Sequence, residues 1–295
     1  MAEHTAIPWC DHTFNPWWGC ENVSPGCAHC YAETLANRFH EGLWGKGHGF
    51  RFFGDKHWAE PLAWNRKAER EGVRKRVFCA SMADVFEERE ELIAPRERLF
   101  DLIEETTALD WLVLTKRPEA MAAFIRDDFY WGEYTVLPNL WLGVTIENAR
   151  YTYRADILRE IPAAVRFISA EPLLGSLYPP HDDQLRCELL APGKWNPLDL
   201  YGIDWVIAGA ESGPKARPMD EGWVRELRNA TRCQTCDGYG EFAGSGTYPK
   251  LCPTCGGTGK RTAFFYKQQI VNGRKVECPE LDGRQWMEFP RGAGA

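Results

Sequence analysis

No apolar run in the chain approaches the roughly 18 residues that mark a membrane-crossing helix, so no contact with a membrane is expected. The opening MAEHTAIPWC lacks a basic segment followed by an apolar one, so no signal peptide is expected and the cytoplasm is the expected compartment. Thiols there stay mostly reduced, and grouped cysteines then favour metal over disulfides. Positive charge is in deficit, with 35 Lys and Arg against 42 Asp and Glu. That balance opposes a broad nonspecific grip on nucleic-acid backbone. The deficit is uneven: from Pro214 onward 13 basic residues face 9 acidic ones, which leaves a local basic face open. The glycine-rich run Trp44 to Gly49 has no strand before it and no helix after it, so it is not a phosphate loop. Residues 42–58 read as a loop and a candidate lid.

Cysteine is not scarce. There are 11, and seven fall in two groups. The first group lies on Thr13 to Glu33, TFNPWWGCENVSPGCAHCYAE, with Cys20, Cys27 and Cys30 just ahead of a helical pattern over Cys27–Glu41. In that pattern Tyr31, Leu35 and Phe39 recur on one face. Three thiolates on one short loop can hold three corners of an iron–sulfur cube, whereas four thiolates usually fill it. The fourth corner is then free to bind something else. Zinc is the alternative for these residues, with His29, His12 or His40 as a fourth ligand. Cys10 is a spare-ligand candidate, and Cys79, inside an apolar run, reads as a small core residue.

Downstream the chain alternates. Apolar runs at Arg76–Ala80, Trp111–Leu114, Leu140–Val144, Val165–Ile168, Trp205–Ala208 and Ala263–Tyr266 are separated by helical patterns at Glu91–Thr107, Pro118–Phe129, Ala149–Ile161 and Asp220–Ala230. Short apolar strands alternating with amphipathic helices imply parallel βαβ units covered on both faces. The expected fold is therefore α/β, a partial or full TIM-like parallel barrel. The segment Leu174–Tyr201, with Pro179, Pro180, Pro192 and Pro197, reads as a long loop in place of a helix.

Each run ends in polar residues: Ser81 and Asp84; Lys116 and Arg117; Thr145, Glu147 and Asn148; Glu171; Glu211 and Ser212; Lys267 and Gln268. In a parallel barrel these ends converge on one mouth, where active sites sit. Taken singly each has a structural explanation, Asp84 as a helix cap, Glu171 as a turn residue before Pro172, and Lys116 and Arg117 as a solvated lead into Pro118.

The second cysteine group is Cys233-Gln-Thr-Cys236 and Cys252-Pro-Thr-Cys255, with 15 residues between the pairs. Two such corners can close a tetrahedral zinc site, and a hairpin without a core needs such a staple. Residues 233–260 thus read as an insertion in a barrel made of 1–232 and 261–295. The insertion resembles one zinc unit of the cysteine-rich region of DnaJ-type chaperones, with Gly238, Gly240, Gly257 and Gly259 at matching positions. No J-domain pattern accompanies it, so the resemblance concerns the hairpin and a surface for a protein partner.

The run Asn15-Pro16, Gly19-Cys20, Ser24 to Cys27 and Cys30 to Glu33 resembles the signature of phage-type three-cysteine-motif proteins, a family similar to radical S-adenosylmethionine (SAM) enzymes. The likeness continues through Ser81 to Asp84, Leu114 to Pro118, Ser169 to Pro172 and Glu211 to Gly213. Two departures stand out: six residues between Cys20 and Cys27, longer than the commonest radical SAM spacing, and His29 where an aromatic residue usually sits. The resemblance implies an enzyme with a [4Fe–4S] cluster on Cys20, Cys27 and Cys30. It further implies SAM at the open corner and cleavage of SAM to a 5′-deoxyadenosyl radical that attacks a substrate. An electron donor such as a flavodoxin or ferredoxin is implied, as is a nucleotide or nucleic-acid substrate, in the host cytoplasm if the chain is phage-encoded. Within that scheme Ser81, Asp84, Thr145, Glu147, Glu171, Glu211 and Ser212 would bind SAM, and Lys116, Arg117 and Lys267 the substrate. The rival reading is a nonenzymatic iron–sulfur and zinc protein that binds nucleic acid or a protein.

Overall fold

The computed structural model describes residues 5–39, 42–128, 136–178, 197–213, 215–233, 235, 239, 241–242, 250–251, 259 and 262–290. One sheet organises them. Its strands are β1 (His12–Thr13), β2 (Lys75–Cys79), β3 (Leu109–Thr115), β4 (Leu140–Thr145), β5 (Val165–Ala170), β6 (Trp205–Gly209), β7 (Ala263–Val271) and β8 (Arg274–Glu277). They lie side by side in chain order. Neighbours from β1 to β7 are parallel, and β8 returns antiparallel to β7. β1 and β8 remain edges, so the barrel is partial and open.

The helices are α1 (Tyr31–Ala36), α2 (Asp55–Trp58), α3 (Glu60–Glu71), α4 (Ile93–Glu105), α5 (Pro118–Ala123), α6 (Tyr153–Arg159) and α7 (Glu221–Ala230). Local chemistry sets their ends. Pro118 starts α5, where its missing N–H costs nothing. Asp220 caps α7 by accepting from the Gly222 amide at 2.7 Å. α3 stops at Gly72, which takes the left-handed conformation.

Side chains alternate across the strands with period two. Val77, Cys79, Trp111, Val113, Leu140, Leu142, Val144, Ile168, Val206 and Phe264 pack outward in the large core that also takes in α3, α4 and α7. Phe78, Leu112, Trp141, Phe167, Trp205, Ile207 and Phe265 pack inward with Trp9. The inner set shows the curl directly. In a flat sheet β2 and β6, four spacings apart, would stand roughly 19 Å from each other. Here the one ring of Trp9 lies 4.7 Å from Phe78 of β2 and 6.1 Å from Trp205 of β6. The C-terminal residues close the lower end: Phe289 packs on Trp205 and Phe265, and the Trp205 indole donates to Glu288 O at 2.8 Å.

Several expectations change. Among the described residues of the predicted 27–41 helix, 31–36 are α-helical, preceded by a single turn at Pro25–Cys27. Its buried residues are Ala32 and Ala36, while Tyr31, Leu35 and Phe39 are exposed. Residues 42–58 form a pinned wall in place of a lid. His48 is buried between Gly49 O at 2.7 Å and Glu87 at 2.8 Å, and Cys20 N donates to Leu43 O. Helix α3 was not anticipated. In the insertion, Glu241–Phe242 and Lys250–Leu251 pair as an antiparallel hairpin, and Cys233 N donates to Gly259 O at 2.8 Å. Cys236, Cys252, Cys255, Gly238, Gly240 and Gly257 lie outside the described residues, as do 179–196 of the expected long loop.

Candidate functional site

Continuing the inward register past the aromatic layer gives Lys116, Thr145, Ser169, Glu171, Gly209 and Lys267 at the C-terminal ends of the strands. All of these but Gly209, together with the cysteine loop, line a cavity of about 350 Å³. Cys20, Cys27 and Cys30 all line it, as do Ser81, Asp84, Lys116, Arg117, Thr145, Glu171, Ser212, Lys267 and Gln268. Trp9 and Phe78 line it as well, along with Tyr31, Trp44 and Lys275.

The loop reaches this position through a series of fixed turns. The Asn15 carboxamide oxygen accepts from Met82 N at 2.7 Å, which ties the loop to the end of β2. Gly19 has φ +132°, and a Cβ there would stand 2.8 Å from Phe50 and 2.9 Å from Gly49 O, so only glycine fits. The single turn at Pro25–Cys27 and the Cys30 N–H to Cys27 O bond then lead into α1. Cys27 is buried, and Cys20 and Cys30 are half-buried. Burial raises the thiol pKa of Cys20 and of Cys30 above the usual value, and Asp84 adds to the effect at Cys20. Metal ligation at these sulfurs would therefore release protons. Among the described residues, Cys20, Cys27 and Cys30 are the cysteines that line the cavity. Among the described residues, no group of three or more His, Cys, Asp or Glu is placed to hold a metal ion. Of the alternative fourth ligands, His12 stacks on Trp64 at 4.5 Å and His29 Nδ1 lies 3.0 Å from Glu211, while His40 is outside the described residues. Cys10 packs in the inner core, where burial pushes its thiol pKa up to about 12.

The polar strand ends divide into two sets. Ser81, Lys116, Thr145, Glu171, Ser212 and Lys267 face the cavity. Glu171 Oε1 stands 2.9 Å from Lys267 Nζ, and Lys116 Nζ reaches the Thr145 hydroxyl at 3.4 Å. A Cβ on Gly209 would come within 2.8 Å of Glu171 Oε1, so glycine there leaves space for the carboxylate. The second set is occupied elsewhere. Asp84 accepts from Thr115 Oγ1, Phe86 N and Lys116 N and pairs with Arg117. Arg117 also pairs with Glu87 and donates to Glu21 O at 2.9 Å. Burial opposes its charge, but Asp84, Cys20 and Glu87 outweigh that and raise its pKa. Glu147 and Glu211 do not line the cavity. Glu147 is fully buried against Arg154 at 3.0 Å and accepts from Gly26 N at 3.4 Å. Glu211 takes a fork from Arg217 and a bond from His29. Burial would raise its pKa, but Arg217 and His29 bring it down to about 2. Of the residues expected beside cofactor or substrate, Asp84 and Arg117 line the cavity while bonded to protein groups, and Glu147 and Glu211 do not line it. Sequence reasoning overlooked Asn15, His48, Glu87, Arg154 and Arg217, which hold the loop, and Lys275, which lines the cavity.

The chain belongs to the family described as "Protein of unknown function (DUF5131)", which matches residues 4–290. No curated protein matches it. Among solved structures, a spore photoproduct lyase mutant with bound AdoMet and dinucleoside spore photoproduct aligns at 15% identity and a TM-score of 0.42, covering 83% of this chain and 70% of that one. A second mutant of the same lyase aligns at 15% identity and 0.42, covering 84% and 70%.

Proposed function

We propose that this DUF5131 member is a radical SAM-type iron–sulfur enzyme. The observation that carries the reading is the convergence of Cys20, Cys27 and Cys30 on one cavity at the mouth of an open parallel barrel. Cys20, Cys27 and Cys30 would hold a [4Fe–4S] cluster there, which would supply the one-electron chemistry for reductive cleavage of SAM. The chain's own residues hold and orient. Ser81, Thr145, Glu171 and Ser212 offer acceptors and hydroxyls for the polar groups of SAM, while Lys116, Lys267 and Lys275 offer donors to a carboxylate or phosphate. Trp9, Tyr31, Trp44 and Phe78 present aromatic surface that suits a planar base, in keeping with a nucleotide or nucleic-acid substrate. Trp9 and Phe78 of the inner aromatic layer form an apolar part of the cavity wall.

Cys233, Cys236, Cys252 and Cys255 are proposed to hold one structural zinc, a reading supported by the pairing of the hairpin between the two corners. The hairpin would offer a docking surface to a protein partner. A flavodoxin or ferredoxin would supply the electron, and the cytoplasm is the compartment that suits such chemistry.

The test is anaerobic reconstitution with iron and sulfide, followed by EPR with and without SAM. A reduced-cluster signal that SAM perturbs, with release of methionine and 5′-deoxyadenosine, is expected. Single Cys20→Ala, Cys27→Ala and Cys30→Ala variants should lose the cluster. Full iron retention in all three variants defeats the assignment. A cluster indifferent to SAM makes the chain a nonenzymatic iron–sulfur protein.

A further inference from the structure

The cysteine loop is held at three points, and each point is next to one cysteine. Glu21, after Cys20, donates its amide to Glu87 Oε2 at 3.1 Å. Gly26, before Cys27, donates its amide to Glu147 Oε1 at 3.4 Å. His29, before Cys30, places Nδ1 3.0 Å from Glu211 Oε2. The three carboxylates follow β2, β4 and β6, so alternate strands supply them around the mouth. Each faces an arginine: Arg117, shared with Asp84, at 3.4 Å from Glu87, Arg154 at 3.0 Å from Glu147, and Arg217 in a fork on Glu211. Two of the arginines also hold the loop backbone, Arg117 through Glu21 O and Arg217 through Pro25 O, both at 2.9 Å.

The pairing has an electrostatic reason. Three bare carboxylates beside three thiolates would repel them and disfavour the ligating form. The facing arginines offset part of that repulsion while the carboxylates anchor the loop.

We infer that Glu87, Glu147 and Glu211, each with its arginine, form a three-point cradle that presets Cys20, Cys27 and Cys30 for a cluster. The inference rests on reading the loop as a cluster site. These glutamates are positioning residues: they act on the loop, and through it on the sulfurs. Anchors set by the fold itself would meet part of the ordering cost of cluster binding.

Glu147 and Arg154 are fully buried, and breaking that pair risks the fold. The test therefore uses Glu87→Gln and Arg217→Met. Peptide-resolved hydrogen exchange on the reduced, metal-free full chain reads each anchor separately. Glu87→Gln should speed exchange at Glu21 about tenfold or more and leave residues 25–30 unchanged. Arg217→Met should do the reverse. Arg217→Met should also speed alkylation of Cys27 and Cys30, although losing a nearby cation would by itself slow a thiol. In reconstituted protein both variants should release iron to a chelator at least about tenfold faster, equivalent to about 1.4 kcal/mol. Unchanged exchange in both variants would overturn the cradle, as would uniform acceleration across the loop and the sheet. A wild type that takes up no cluster would refute the proposed function instead, and the metal-free exchange and alkylation would still decide the cradle.

Discussion

Asp84→Asn separates a cofactor ligand from a structural carboxylate. Asp84 is buried and its two oxygens serve four partners. Oδ1 accepts from Thr115 Oγ1 at 2.6 Å and Phe86 N at 3.0 Å; Oδ2 accepts from Lys116 N at 3.0 Å and faces Arg117 Nη1 at 3.1 Å. Asparagine keeps one oxygen. Whichever way the amide turns, two of the four contacts are lost and an NH2 group faces other donors. At about 1.5–3 kcal/mol for each hydrogen bond involving a charge, the loss is about 3–6 kcal/mol. Whole-protein stability is about 5–15 kcal/mol, so the variant should fold but melt early. Chains of roughly this size lose about 2–4 °C per kcal/mol, and the melting temperature should fall by at least about 6 °C. Differential scanning calorimetry on metal-free protein measures this, with SAM titration of the reconstituted variant alongside. A melting temperature within about 2 °C of wild type, together with abolished SAM binding, would refute the reasoning and make Asp84 a cofactor ligand.

Glu171 faces the cavity, and Glu171→Gln should weaken SAM binding roughly 10- to 150-fold with the cluster intact, the equivalent of losing one charged hydrogen bond; isothermal titration on anaerobic protein checks it, and an unchanged affinity removes Glu171 from the pocket. Gly143→Ala should destabilise by about 1–3 kcal/mol in urea unfolding, because its Cβ would overlap the Phe167 ring, and Phe167→Leu should restore part of the loss. Replacing Cys233, Cys236, Cys252 and Cys255 together by Ser should remove about one zinc per chain while iron remains, as metal analysis would show.

The sheet was legible because its signal is local. Each inward residue is two positions from the next, so Trp205 and Ile207, or Val165 and Phe167, declare a strand buried on both faces wherever they occur. All six apolar runs became strands, and the helices Glu91–Thr107 and Ala149–Ile161 differ from the observed ones mainly in the turns at their ends. α3 was missed because its buried apolar residues, Pro61, Trp64 and Ala68, make a thin stripe among charged residues. α1 was overread for the opposite reason. The repeat of Tyr31, Leu35 and Phe39 looks like a core face, yet the small residues Ala32 and Ala36 let the helix lie close, and the large ones stay outside.

The anchors of the cysteine loop were illegible for a physical reason too. Their contacts join residues 66, 121 and 182 positions apart, far beyond any spacing rule. A glutamate at a strand end looks the same in sequence whether it faces the cavity or turns under the loop; what decides is where its countercharge stands. Glu147 has Arg154 seven residues on, and Glu211 has Arg217 six residues on, each near enough to close an ion pair within one strand-to-helix connection. Glu171 has no such arginine, only Leu173 and Leu174 after the proline, and its carboxylate turns to the cavity and to Lys267 from another strand. For Glu147 and Glu211 the nearby arginine thus commits the group to the scaffold, whereas Glu87 is held by Arg117 from the next strand end. Glu171 lacks such an arginine and stands at the cavity with Lys116 and with Lys267, its partner from another strand.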